Sequence, residues 1–229
     1  VIALVALSVP TMASLDNVAQ VLRQVAVPSI VAIGVTFVLI AGRLDLTVGS
    51  LLSLCAVTVV TVHDMADPLT AMAITLGVGL LSGCITGFLV AYLNLNSLIT
   101  TLGMMSFLQG ITLVYTNGKN AQIAHPDATW YAFIGRGYLF SVPVPIVIVA
   151  ALMAIMGIVL SCTTFGRRVF AVGGNETASI YSSINAKRTI FSAYVISGLM
   201  TAIAAIVFGS RVMDGRNDSG AGLELFVLS

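Results

Sequence analysis

The 229 residues are 58% apolar and only 8% charged, with a mean hydropathy of +1.06, whereas a soluble domain carries roughly 25% charged residues. So few charges exclude a water-covered globule. Ten Lys and Arg against nine Asp and Glu leave a net charge of +1, so no electrostatic field points to nucleic acid or to an anionic partner. At about 20 residues for each crossing of a hydrocarbon core of about 30 Å, the length allows about six or seven spans. The expected fold class is an all-α, polytopic integral membrane helical bundle forming one domain over residues 1–229.

In chain order, Val1 to Val9 reads as the tail of a membrane helix, because it lacks the basic flank and cleavage site of a signal peptide. The chain opens on Val1 rather than Met, and Leu223 to Ser229 begins an apolar segment that stops abruptly, so the domain is expected to be truncated at both ends. Thr11 to Gln24 is polar and mixed and is expected to lie outside lipid. Val25 to Ala41 is apolar, and Gly34 marks it for close packing or for a stop inside the protein. Gly42, Arg43, Leu44 and Asp45 interrupt it, and Leu46 to Thr61 resumes the apolar run. A turn at His63, Asp64, Asp67 and Pro68 closes that hairpin.

Leu69 to Leu93 is the longest span and sets Gly79, Gly83 and Gly87 at tandem GxxxG spacing. Small residues at i, i+4 let helix backbones approach closely in lipid, either as static packing or at a moving interface. Gly198, Ala202, Ala205 and Gly209 form a second small-residue strip. Asn94 to Asn96 is a tight connection, and Ser97 to Tyr115 spans again. The loop from Thr116 to Val142 holds Lys119, His125, Asp127, Trp130, Tyr131, Arg136 and Tyr138, a composition suited to the interface and to a short helix lying on it. Pro143 and Pro145 set the entrance to the span Val144 to Cys162.

Thr163 to Thr189 carries Arg167, Arg168, Lys187 and Arg188, four of the ten basic residues, and the positive-inside rule places it in the cytoplasm. Counting outward from it puts Gly42 to Asp45 and Asn94 to Asn96 inside, and His63 to Pro68 and Thr116 to Val142 outside. Ile190 to Ser210 then returns the chain outward, leaving Arg211 to Gly222 on the far side. Cys55, Cys84 and Cys162 lie far apart without metal-ligand spacing and are read as buried free thiols. His63 and His125 are read as solvated loop residues, and no catalytic or metal-binding constellation is expected.

Two segments carry the chemistry. In AGRLDLTVGSLLSL (Ala41 to Leu54), Asp45 and Thr47 suit the exposed amides of the next helix, Gly42 and Gly49 suit tight backbone contact, and Ser50 and Ser53 repeat down one side. A lone carboxylate at the bilayer centre costs about 2.5 to 3.5 kcal/mol or more, so Asp45 must cap, pair with Arg43 or be hydrated. In FGRRVFAVGGNETASIYSSIN (Phe165 to Asn185), Gly173 and Gly174 read as a turn, Asn175 as an N-cap, and Thr177 to Ser182 as a short helix with Glu176 at its positive end. Such a helix between two spans is a knob able to fit a groove on a cytoplasmic partner and pass that partner's motion to the membrane helices.

Together these segments resemble the ribose/arabinose-type branch of the ATP-binding-cassette importer permeases. The family pattern G-G-x-D-L-S-V-G-S is matched at Ala41 to Ser50, with Ala41 for the first Gly and Thr47 for the Ser. N-x-L-I-T-T-L-G-M is matched at Asn96 to Met104, and T-x-F-G-R-x-x-x-A-x-G-G-N-E-x-A at Thr163 to Ala178. ISGLMTAIAAIVFGSR (Ile196 to Arg211), followed by Gly222, Leu223 and Glu224, resembles the family's next segment. The departures are Ser183, where the family has Gly, and Ile180 and Tyr181, where it has small residues, which make the knob bulkier.

The resemblance implies a permease of the bacterial inner membrane importing a monosaccharide or related sugar, paired with a second, identical or paralogous permease. It implies cytoplasmic ATPase subunits docking at Gly173, Gly174, Asn175, Glu176, Thr177 and Ala178, and a periplasmic sugar-binding protein outside, facing Asp214, Arg216 and Asp218. No cofactor is expected on this chain: ATP and Mg belong to the partner ATPase, in keeping with the lack of a GxxxxGK[ST] motif here. Gly42, Asp45, Gly49 and Ser50 form the structural motif. Sugar hydroxyls and ring faces suggest Phe107, Gln109, Tyr115 and Asn117 along the path. Competing readings are an ion-coupled secondary transporter built on Asp45, a membrane-embedded enzyme, and an importer of nucleosides or sugar-derived signals.

Overall fold

The computed structural model describes residues 15–123 and 130–228. Val1 to Val9, His125 and Asp127 therefore lie outside the described residues. The helices are α1 (Leu15–Ile40), α2 (Val48–Met65), α3 (Pro68–Ala91), α4 (Ser97–Thr116), α5 (Tyr131–Arg136), α6 (Val144–Cys162), α7 (Thr164–Gly174), α8 (Glu176–Tyr181), α9 (Ala186–Val212) and α10 (Leu223–Leu228). Among the described residues six helices are long and apolar enough to cross a membrane, namely α1 from Ala19, α2, α3, α4, α6 and α9. Lipid offers no partner for backbone amides and carbonyls, so each crossing closes its own hydrogen bonds as a helix.

Helix α9 is the central post, with α1, α2 and α3 packed around it. The two small-residue strips meet there. A Cβ on Gly79 would come within 2.6 Å of the Gly198 carbonyl oxygen, one on Gly83 within 2.6 Å of the Tyr194 oxygen, and one on Gly198 would strike the Gly79 carbonyl. Gly34 on α1 meets the Met200 side chain and the Ser197 backbone in the same way. Thr75, Thr112 and Thr201 are fully buried and return their hydroxyls to carbonyls four residues back, satisfying them within their own helices.

The connections gather at two ends. One holds the α1–α2 link (Ala41–Thr47), the α3–α4 turn and the pair α7–α8, where Leu44 N reaches Ser97 Oγ at 3.5 Å. At the other end, Tyr131 donates to Ile206 O at 2.8 Å, Arg136 Nε to Arg211 O at 2.9 Å, and Thr116 Oγ1 to Asn217 Oδ1 at 2.8 Å. There a two-residue strand, β1 (Ala121–Gln122), pairs antiparallel with β4 (Asp214–Gly215), and β2 (Tyr138–Leu139) pairs with β3 (Val142–Pro143). This is the alternation expected from the order of spans. The expected interface helix is α5, and its Tyr131 is fully buried rather than surface-lying.

Helix caps follow the local chemistry. Asp67 accepts from Leu69 N and Thr70 N at 3.1 Å and from Thr70 Oγ1 at 2.6 Å, bonds that hold its carboxyl below the ordinary aspartate value, the Thr70 hydroxyl foremost. Asn96 caps α4 by accepting from Leu98 N and Ile99 N.

Several expectations are corrected. Helix α1 begins at Leu15, well inside the segment read as polar, because Arg23 is anchored: its Nη2 donates to Arg136 O at 2.7 Å and its guanidinium lies 4.5 Å from the centre of the Tyr138 ring. Arg23 and Gln24 thus both lie on the helix, with Arg23 held at the end of the bundle. His63 is not a solvated loop residue. It lies in the last turn of α2, buried, with its ring 5.3 Å from that of Tyr131. Of the three thiols only Cys55 is buried; Cys84 is half-buried and Cys162 exposed. Helices α2 and α9 each extend about a turn past their apolar cores, α2 to Met65 and α9 back to Ala186.

Candidate coupling site at the Asp45 end

Helix α1 stops because Gly42 takes a left-handed conformation, φ 75°, in which Gly42 N bonds Leu39 O and Arg43 N bonds Val38 O. This is the glycine helix stop, open to a residue without a Cβ. Asp45 follows, 3% exposed. Its Oδ1 accepts from Thr47 N at 3.0 Å and Thr47 Oγ1 at 2.6 Å, and its Oδ2 from Ser197 Oγ at 2.7 Å. Tyr194 donates to Leu44 O at 2.7 Å. Asp45 is therefore a clasp that fixes the link to α9, with three donors satisfying its two carboxyl oxygens. Ser50 Oγ donates to Thr47 O at 3.0 Å, and Gly49 lies against Gly220, whose carbonyl would be 2.6 Å from an added Cβ.

Of the alternatives left for Asp45, pairing with Arg43 is not the one adopted. Arg43 Nη2 instead meets Glu176 Oε2 at 2.6 Å, both side chains partly exposed. The two motifs, far apart in sequence, thus form one joint.

The knob is larger than its sequence suggests. Gly173 and Gly174 are not a turn but the last residues of the 11-residue helix α7, and the chain breaks at Asn175, not before it. Helix α7 is amphipathic: Gly166, Val169 and Val172 are buried, Phe165 stacks 6.2 Å from Phe37, and Arg167, Arg168 and Phe170 are exposed. A Cβ on Gly173 would strike the Ile40 carbonyl, so only glycine lets α7 sit this close to the end of α1. Asn175 is extended and caps α8 by accepting from Ala178 N at 2.9 Å, as expected. Thr177 and Ala178 are exposed on the first turn of α8, and Ile180 and Tyr181 project at its end, Tyr181 86% exposed. Ser183, where the family has Gly, holds a left-handed φ of 62°, the reason glycine suits that position.

The proposed path residues do not converge. Phe107 and Tyr115 are exposed on α4, and Asn117 is its left-handed C-cap, φ 51°. Of the four, Gln109, exposed on α4, lines a cavity that it shares with Ser50, Ser53, Asn217 and Glu224. The charged cluster beyond α9 is partly self-paired, Arg216 Nε lying 2.8 Å from Asp214 Oδ2, and that contact raises the Arg216 value.

Reading the sequence singly missed two partners: Arg43 for Glu176, and Glu224 for the cavity. The available signals were a cation two residues before a buried acid, and one acid inside the apolar run LELFVL.

Comparison with known proteins places this arrangement. Residues 17–228 match the family model described as "Branched-chain amino acid transport system / permease component". The chain is 35% identical to the ribose import permease protein RbsC of Haemophilus influenzae over 98% of its own length and 70% of that protein's. It is also 35% identical to the L-arabinose transport system permease protein AraH of Escherichia coli, over 98% of its length and 68% of that protein's. Identity is 30% with the galactofuranose transporter permease protein YtfT of Escherichia coli, over 90% and 60%. No solved structure matches the chain. Six membrane-crossing helices, a glycine-stopped link at Asp45 and near-full-length similarity to import permeases lead to one conclusion: the chain belongs to the branched-chain amino acid transport system / permease component family.

Proposed function

We propose that this chain is the membrane subunit of an ATP-driven importer of a sugar or sugar-like compound, driven by partner ATPases that seat on the α7–α8 knob. The family description names branched-chain amino acids, but the similar proteins cited above are named for ribose, L-arabinose and galactofuranose, and these direct the cargo class to sugars. The carrying observation is the Arg43–Glu176 contact at 2.6 Å. It ties the knob to the α1–α2 link, which Asp45 and Tyr194 in turn tie to the central post. Motion applied to α8 therefore has a short route to α9.

On this reading the Asp45 end faces the cytoplasm of a bacterium whose inner membrane holds the protein. The ten basic residues divide evenly between the ends: Arg43, Arg167, Arg168, Lys187 and Arg188 at one, Arg23, Lys119, Arg136, Arg211 and Arg216 at the other. Four at the Asp45 end are exposed on α7 and the start of α9, whereas Arg23, Arg136 and Arg216 engage groups of their own end. The cluster of four between Thr163 and Thr189 is the set that would resist translocation. ATP and Mg²⁺ would be held by the ATPases, a second permease would complete the path, and a sugar-binding protein would deliver cargo at the opposite end. An ion-coupled mechanism resting on Asp45 is disfavoured, because both its carboxylate oxygens are already occupied by Thr47 and Ser197.

The test replaces Gly174, Asn175 and Glu176 together by Ala in the assembled transporter in proteoliposomes. Import of D-ribose should fall at least about tenfold, as expected for losing an interaction of about 1.4 kcal/mol or more at the coupling step, with the amount of inserted permease unchanged. Unchanged ATP-dependent import would refute the coupling role.

A further inference from the structure

Glu224 is the second buried carboxylate of the described residues that lies beside the Asp45 motif, and its surroundings are the reverse of those of Asp45. It is 8% exposed, its Oε2 has no hydrogen-bond partner among the described residues, and that oxygen lies against Gly49, where a Cβ would collide with it. It borders a cavity of about 60 Å³ between α2, α4 and the segment that follows α9. By the same measure one water takes roughly 10–15 Å³, so the cavity holds a few waters or one edge of a sugar. Gln109 lies twelve residues into α4, about 18 Å from its start at 1.5 Å per residue, which puts the cavity at membrane depth. An ionisable group there, with no cation paired to it among the described residues, is costly to keep unless it meets something else.

The lining says what that something is. Ser53 is spent on structure, donating to Gly49 O at 3.3 Å and accepting from Gly220 N at 2.9 Å. Ser50 donates its proton to Thr47 O and keeps its lone pairs. Asn217 uses its amide oxygen on Thr116, which leaves its NH₂ as a donor. Gln109 offers one of each. A hard cation such as Ca²⁺ or Mg²⁺ takes oxygen acceptors, whereas a hydroxyl both donates and accepts, and this cavity presents carboxylate and hydroxyl acceptors beside amide donors.

We propose that the cavity bounded by Ser50, Gln109, Asn217 and Glu224 is a hydroxyl-binding station on the import path, in which Glu224 accepts hydrogen bonds from cargo hydroxyls and the two amides donate to cargo oxygens. The cargo class rests on the sugar-import reading above. Ser50, Asn217 and Glu224 thereby join Gln109 as positioning groups for passing cargo.

The test separates the station from that reading. The permease in detergent is treated with dicyclohexylcarbodiimide, an apolar reagent for carboxyl groups at membrane depth, and modification of Glu224 is followed by mass spectrometry with D-ribose, with NaCl, or with neither. In parallel, Gln109→Cys is labelled with a hydrophilic maleimide under the same three conditions, so that a Glu224 unreactive to carbodiimide still leaves a readout. D-Ribose should slow labelling severalfold where NaCl does not, and Glu224→Gln should raise the D-ribose concentration needed to protect Gln109→Cys about tenfold or more, as for loss of a hydrogen bond to a charged group. Protection by NaCl alone would make the cavity an ion site, and protection by neither solute would make it structural; either result overturns the proposal. Import of D-ribose by the assembled transporter is measured separately: protection without import would leave the station standing and refute the import reading, and import without protection would do the opposite.

Discussion

The α3–α9 seam and the joint between the knob and the α1–α2 link are both closed by glycine, yet they hold by different means. In the seam, Gly79, Gly83 and Gly198 bring two backbones together by shape, each position blocked to a Cβ by a backbone atom of the other helix. At the joint, Gly173 allows one such approach to Ile40, but the side chains that meet are charged and half-exposed, Arg43 and Glu176. A shape contact has one good distance and loses its dispersion energy as it opens. A half-exposed ion pair is worth about 0–1 kcal/mol, since water competes for both charges, so it can part and re-form cheaply. The seam is built as frame and the joint as a contact that can exchange.

The largest expected effect is on the seam. Gly198→Leu should destabilise the protein by about 3 kcal/mol or more, at or beyond the upper end of ordinary overpacking because the obstacle is backbone, and little monodisperse protein should survive detergent extraction on a sizing column. Gly157→Leu on α6, where a Cβ meets nothing within 4 Å, is the control and should elute as wild type. Normal yield from Gly198→Leu would show that the seam yields, and the contrast with the joint would collapse.

A smaller effect is expected at the joint. In a double-mutant cycle of Arg43→Ala and Glu176→Ala, the coupling measured by thermal unfolding should be about 1 kcal/mol or less, and it should shrink as salt is raised to about 1 M, where the screening length is about 3 Å. A coupling as large as the seam penalty, or one indifferent to salt, would make the joint part of the frame.

The smallest effect sharpens the comparison at the far side of the knob. Ser183 holds φ 62° without being glycine, so Ser183→Gly should stabilise the protein by about 0.5–1 kcal/mol, relief of left-handed strain offset by the added freedom of the unfolded chain. A lowered melting temperature would mean that the Ser183 side chain contributes more to the knob than its strain costs.

The parts legible in the sequence share a local cause. The spans of α3, α4 and α6 match their apolar runs to within about two residues, and Asn175 caps as its place before Glu176 predicts. The Gly79–Gly83–Gly87 strip packs closely as its period implies. The errors fall where distant groups intervene. Arg23 joins a membrane helix because Arg136, 113 residues away, accepts from it. His63 is buried because α5 folds back over it. Gly173 and Gly174 remain helical because the buried face of α7, not their own propensity, decides their conformation.

By itself, then, the sequence determined that apolar helices cross a membrane, where most of them turn, and that a capped knob interrupts them, because lipid forces each span to satisfy its own backbone and caps act within three residues. Only the tertiary structure decided which polar groups meet: Arg43 with Glu176 across 133 positions, Asp45 with Ser197 across 152, and Glu224 with an oxygen left unpartnered beside a polar cavity. Polar groups choose partners by distance and direction, and across so many residues both are set by how the glycine-lined helices pack.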